Sequence, residues 1–186
     1  MACFLYAEDA RNFGKALGDR LSRFKLTLHP DKTRIIEFGR FAEKNAKKRG
    51  ESKTASFDFP GLTHISARKR SDGGYTVRRI TIAKRQRPKL NEIKRWLTRY
   101  RLQPIVYQGK QLSATLRGAI NYYGVPGNLP ALCAFRTEIC KAWIKHLRRR
   151  SQKASKLTWG KMVRIVRQWI PSVRVVHPYP VKRLRV

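Results

Sequence analysis

The sequence predicts an α+β chain in two parts, a helix with short antiparallel strands over residues 1–83 and an all-helical portion over 84–186. Three observations carry this. Apolar residues in the second part recur at steps of three and four, whereas much of the first part alternates or runs β-branched between turn signals. Proline and glycine bracket the second-part periodic runs at the positions where helices start and stop. The charge divides at the same place: from Lys84 onward there are 25 Lys and Arg against two acids, Glu92 and Glu138.

In the first part, Ala10, Phe13, Leu17, Leu21 and Phe24 fall on one face, which predicts an amphipathic helix over about residues 9–24. Glu8 or Asp9 is placed as its capping acid, at the positive end of the helix dipole. Leu26–Leu28 reads as a short strand, Pro30-Asp31 as a turn, and Thr33–Phe38 as a β-branched strand closed by Gly39. The polar run Glu43–Thr54 reads as a solvated loop. FDFPGLTHIS, with Phe57, Phe59 and Gly61 alternating about Pro60, reads as an edge strand or bulge, because proline donates nothing to a ladder. Ser71-Asp72-Gly73-Gly74 predicts a turn into a strand over Tyr75–Ile82.

In the second part, Pro88 is expected to open a helix with Leu90, Ile93, Trp96, Leu97 and Tyr100 on its stripe. Leu112, Leu116, Ala119, Ile120 and Tyr123 define a second helix, stopped at Gly124. Pro130 opens a third, with Leu132, Phe135, Ile139, Trp143 and Leu147 inward. Thr158 caps a fourth, carrying Met162, Val163, Ile165, Val166 and Trp169, and Pro171 ends it.

The formal net charge is +32 over 186 residues. So large an imbalance is self-repelling unless a polyanion neutralises it, and nucleic acid is the commonest such partner. No apolar run approaches the ~18–20 residues that span a bilayer, and Met1–Leu5 is too short and lacks the basic lead-in of a secretory signal. An odd number of cysteines, three, points to a reducing compartment rather than a disulfide framework. Cys133 and Cys140 are spaced as core residues of one helix.

Several stretches then line up with one family. RLSRFKLTLHPDKTRIIEFGRFA resembles the segment near the end of the palm in group II intron-encoded reverse transcriptase/maturases. FDFPGLTH is similar to that family's FDFLGFTH, departing at Pro60 and Leu62. LRGAINYYGVPGN and RRRSQKASKLTW resemble two of its thumb segments, and His177–Pro180 (HPYP) resembles its carboxy-terminal signature. The order matches and the likeness runs through nearly the whole chain.

The resemblance implies a remnant of the reverse transcriptase palm over 1–83 and the helical thumb, or domain X, over 84–186. It implies structured RNA, a group II intron, as partner and a bacterial cytoplasmic, nucleoid- or RNA-associated location; from the lack of a spanning apolar run, no membrane partner is expected. The palm-end motif falls on His29, Pro30, Lys32 and Thr33; in the family that lysine lies near the palm's active site. With VKRLRV following directly on HPYP, the DNA endonuclease module of some family members is expected to be absent.

Tyr6-Ala7-Glu8-Asp9 looks like the Y-x-D-D box of a polymerase. Two-metal nucleotidyl transfer needs carboxylates close around a pair of Mg²⁺ ions, and the box must sit in a hairpin turn with a further carboxylate from an earlier strand. Here a helix follows at once and five residues precede Tyr6. The stretch therefore reads as the lead-in to a helix, the alternative being a relic of the active site; neither is competent. No catalytic residue, no metal ligand and no cofactor is expected for this chain, Mg²⁺ belonging to the full-length family enzyme.

RNA binding is expected from basic residues off the apolar stripes: Arg95, Arg99, Arg101, Arg117, Lys141, Lys145, Arg148, Arg149, Arg150, Lys153 and Lys156. Arginine forks suit phosphate and stack on bases. Tyr122 and Trp159 are candidates for stacking on unpaired bases, with core packing as the alternative. A second reading makes the chain one half of a split RNA-directed DNA polymerase, active only with a separate amino-terminal partner.

Overall fold

The computed structural model of this α+β chain describes residues 1–69 and 72–178. Two compact units divide it: Met1–Ser56 with Ser66–Thr76, and Phe57–Ile65 with the chain from Val77 onward.

The first unit opens with helix α1, Ala7–Ser22. Tyr6 is the extended residue before it and makes no side-chain cap; Glu8 and Asp9 lie in the first turn. The acids thus act through the helix dipole rather than as the expected cap. No residue of α1 is buried, and Phe13 on its apolar stripe is 44% exposed. The helix ends as Lys25 turns left-handed (φ 58°) and the Leu26 amide donates to the Leu21 carbonyl at 3.0 Å.

Neither expected strand forms here: Leu26–Leu28 and Thr33–Phe38 have no ladder. β-branched residues favour extended backbone, but a strand exists only where a neighbour takes its amides and carbonyls. Between them Pro30–Lys32 is one 3₁₀ turn, in which the Lys32 and Thr33 amides both reach the His29 carbonyl, at 3.2 and 3.0 Å.

The run read as a loop holds helix α2, Ala42–Lys48. Its two alanines, Ala42 and Ala46, are buried one turn apart. Glu43 pairs with Lys47 at i,i+4, 2.9 Å away, the orientation that helps a helix. Arg49 bridges Glu37 (2.6 Å) and Glu51 (2.7 Å), and Arg68 reaches Glu43 at 2.8 Å. Hydrogen bonds from Asn45 and then Arg49 hold the Glu37 carboxyl below its ordinary range, and those from Lys47 and Arg68 do the same for Glu43. Exposed pairs of this kind add little stability, but they leave these acids already matched by local cations.

Strands β1 (Ser56–Phe59), β2 (Leu62–Arg68) and β3 (Tyr75–Thr81) form one antiparallel sheet in that order. Pro60 is not inside a strand: Pro60-Gly61 is the two-residue link between β1 and β2, and Gly61 has φ 81°. Proline presets the first turn position, and glycine takes the positive φ of the second. The edge-strand expectation holds for β1 and the bulge does not. In the turn before β3 the Gly74 amide donates to the Asp72 carboxylate at 3.0 Å; Ser71 lies outside the described residues.

In the second unit come α3 (Ala83–Arg99), α4 (Ile105–Tyr123), α5 (Leu129–Arg148), the short α6 (Gln152–Ser155) and α7 (Trp159–Trp169). Pro88 is inside α3 rather than at its start. It removes one intrahelical bond near the helix beginning, and burial of Ile93 and Leu97 farther along offsets that loss. Pro130 opens α5, Gly124 caps α4 and Thr158 caps α7, its hydroxyl accepting from the Lys161 amide at 3.4 Å. The four long helices share one core built on Leu97, Leu112, Leu116, Ile139, Trp143 and Met162. Gly109 of α4 lets the Trp169 ring of α7 approach so closely that a Cβ there would lie 2.6 Å from its Cγ.

Two buried amides fix the connections. Gln108 is fully buried: its amide nitrogen donates to the carbonyls of Tyr100 (2.7 Å) and Arg101 (3.0 Å), and its oxygen accepts from the Trp143 indole at 2.7 Å. Asn128 accepts from the Thr81 amide at 2.8 Å and donates to the Tyr123 carbonyl at 2.8 Å. Beyond α7 the chain returns to α4, where the Val176 and His177 amides donate to the Gly124 carbonyl and His177 Nε2 donates to the Asn121 carbonyl. Of the HPYP stretch, Tyr179 and Pro180 lie outside the described residues, as does VKRLRV.

Candidate nucleic-acid interface

On α5, residues 141, 144, 145 and 148 follow the i, i+3, i+4, i+7 spacing that puts side chains on one helix face. Three are cations and the fourth is Ile144. With Arg149 and Trp159 they line an open cleft of 560 Å³. Ile144 is 7% exposed and forms an apolar floor, whereas Trp159 is 47% exposed. Trp159 is the first residue of α7, so the Thr158 cap sets where its ring stands. Arg148 adds a tie across the cleft end: its Nε donates to the Leu157 carbonyl at 2.7 Å, leaving its other N–H groups for an anion.

No carboxylate lines the cleft. Glu138, which pairs with Lys141 at 2.9 Å, is the acid next to it. Like charges at i,i+4 cost a helix a few tenths of a kcal/mol per pair; Lys141 with Lys145 is such a pair, and Arg149 adds a further cation just past the helix end. The helix dipole offsets part of this in the last turn, where Lys145 and Arg148 sit, and Glu138 is the acid set against Lys141, so the face keeps a net excess of positive charge. The arrangement is one that a bound polyanion would relieve.

Five of the residues singled out in the sequence therefore meet in one cleft: Lys141, Lys145, Arg148, Arg149 and Trp159. Arg150 points elsewhere. Its Nε donates to the Arg101 carbonyl at 2.7 Å and a terminal nitrogen donates to the Gln103 carbonyl, so it clips the α3–α4 connection that Gln108 also holds. Arg101 is half-buried in that connection. Arg95 and Arg99 are exposed one turn apart on α3, and the Arg99 guanidinium lies 5.6 Å from the Tyr100 ring centre. Arg117, Lys153 and Lys156 are exposed and line neither of the two clefts.

Tyr122 is 52% exposed and its hydroxyl donates to the Pro60 carbonyl at 2.8 Å. It lines a second cleft, of 650 Å³, with Arg85, Lys89, Gly118 and Tyr123. Sequence reasoning missed Arg85, Lys89 and Ile144. For Ile144 the signal was present, an apolar residue set among cations at helical spacing; for Arg85 it was absent, because Pro88 masked the true helix start. His29, Pro30, Lys32 and Thr33 lie together on the exposed 3₁₀ turn of the first unit.

Among the described residues no three His, Cys, Asp or Glu side chains are grouped to hold a metal ion, and no helix is long and apolar enough to cross a membrane. Cys140 is buried, which pushes its thiol pKa up, and Cys133 is exposed on the same helix. No protein-family model, curated protein or solved structure matched the chain.

Proposed function

We propose that this chain is an RNA-binding fragment of a group II intron maturase, which helps the intron RNA fold and splice and has no polymerase chemistry of its own. The observation that carries the proposal is the α5–α7 cleft: four cations, an apolar floor and a half-exposed indole, with no carboxylate in the lining. The motif resemblance supports the choice of RNA and of intron. Lys and Arg would displace counterions from phosphate, and the splicing chemistry would remain the RNA's. On this reading the protein works in the bacterial cytoplasm, on RNA, and needs no bound metal.

The test is equilibrium binding of the full chain to a folded group II intron RNA, with an unrelated structured RNA of equal length as competitor, at two salt concentrations. A preference for the intron that survives the higher salt is expected. Equal binding to both, lost together as salt rises, overturns the maturase assignment.

One observation favours the split-polymerase reading. The apolar stripe of α1 has no buried residue, and Phe4, Phe24 and Leu26 nearby in sequence are exposed. A separate amino-terminal half would cover such a face. Co-expression with a segment encoded just upstream, and recovery of a stable complex with RNA-directed DNA synthesis, is the outcome this reading requires.

A further inference from the structure

We infer that the α5–α7 cleft takes an unpaired nucleotide, base on Trp159 and phosphates on the surrounding cations, rather than the backbone of an RNA duplex. This rests on the RNA-binding reading above and names what its site reads.

The argument is one of matching surfaces. A duplex presents phosphates and sugar edges outward and keeps its bases stacked inside. Such a partner would satisfy Lys141, Lys145, Arg148 and Arg149 and leave the Trp159 ring and the Ile144 floor wet. A splayed-out nucleotide has both chemistries at the right scale: a flat aromatic face of the size of the indole, flanked by a negative charge on each side. Aromatic side chains are the usual platforms for single-stranded bases, because every base has a π-face. The volume, 560 Å³, lies within the range of small-ligand pockets, room for a base and its sugar.

The placement of Trp159 argues the same way. The other tryptophan near this end of α5, Trp143, is fully buried and hydrogen-bonded to Gln108. Trp159 is the first residue of a capped helix, beside Leu157, which packs against the core and whose carbonyl Arg148 holds. Its neighbours are thus anchored while its own ring remains 47% exposed in a cationic rim. A large apolar ring held by a rigid backbone and surrounded by charge is poor packing for the free protein and a ready surface for a base.

The experiment compares a ten-nucleotide single-stranded RNA with the same strand annealed to its complement, using fluorescence anisotropy at fixed salt. Three forms of the full chain are measured: wild type, Trp159→Ala and Trp159→Phe, each checked for native circular dichroism. Loss of one base stack should weaken single-strand binding of Trp159→Ala by roughly 5- to 160-fold, leave duplex binding within about twofold, and leave the salt slope unchanged because no phosphate contact is lost. Trp159→Phe should restore most of the single-strand affinity, which a role in folding alone would not predict. Equal effects of Trp159→Ala on both RNAs, or none on either, overturn the inference while leaving salt-dependent RNA binding, and with it the proposed function, intact. Absence of any RNA binding by the wild type overturns both.

Discussion

The run Arg148-Arg149-Arg150 looks uniform in sequence, yet the structure gives its members two different jobs, and this can be measured. Arg148 and Arg149 line the cleft; Arg150 donates to the Arg101 and Gln103 carbonyls. Replacing Arg148 and Arg149 by Ala removes two phosphate partners. Each is worth about 0.7 in the slope of log K against log salt on single strands, so the slope should flatten by about 1.4. Between 50 and 200 mM salt the wild type should then lose about sevenfold more affinity than the double variant. Arg150→Ala should leave that slope unchanged and lower stability instead. Hydrogen bonds to a charged donor contribute about 1.5–3 kcal/mol each when well shielded. Arg150 is half-exposed, and Gln108 still reaches the same segment, so about 1–2 kcal/mol in total is the reasonable expectation. That corresponds to a fall in Tm of roughly 2–8 °C for a chain of this size. Anisotropy titrations at three salt concentrations give the slopes, and thermal melts followed by circular dichroism give the Tm. If Arg150→Ala flattens the slope as much as the pair does and melts like wild type, the division of labour is refuted.

Two further outcomes follow from the buried Gln108 and the half-buried His64. Gln108→Leu should strand the Trp143 indole N–H in the core and remove a donor from the Tyr100 carbonyl, at a cost of about 2–4 kcal/mol; urea unfolding should show a lower midpoint, and Trp143→Phe in the same chain should recover part of it. His64 is stacked on the Phe57 ring, centroids 4.9 Å apart, and burial followed by the nearby Arg79 charge depresses its pKa. Its unfolded value is about 6.5, so above that pH both states are neutral and the group is without effect. As pH falls below it, the unfolded chain takes up the proton first, and stability drops until the folded pKa is passed. His64→Gln should therefore narrow the difference between unfolding midpoints at pH 7.5 and pH 5.

The helical portion was largely legible in the sequence because its signals are local and redundant. Leu112, Leu116 and Ile120 recur at the helical period, Pro130 and Thr158 mark starts, and Gly124 marks a stop, each for a reason confined to a few residues. The exception, Pro88, shows the limit: a helix already begun at Ala83 tolerates it once the downstream face is packed. The first part was less legible. Thr33–Phe38 has strand composition without a partner, and Ala42–Lys48 has a polar composition that hides two buried alanines. Whether extended backbone becomes a strand depends on what lies alongside, which composition does not encode.

The sequence by itself determined the cationic character of the chain, the positions of four long helices, and which side chains on them are not needed for the core. Those properties depend on charge totals and on a 3.6-residue period, both of which are readable along one dimension. Tertiary structure alone decided which cations meet. Lys141 and Lys145 share a face by helical spacing, but Trp159 reaches the cleft only because a short helix and the Thr158 cap bring the start of α7 to the end of α5. Arg150, adjacent in sequence to two cleft arginines, is turned away by carbonyls almost fifty residues upstream. Proximity across such separations is fixed by packing and by buried hydrogen bonds, and no local pattern carries it.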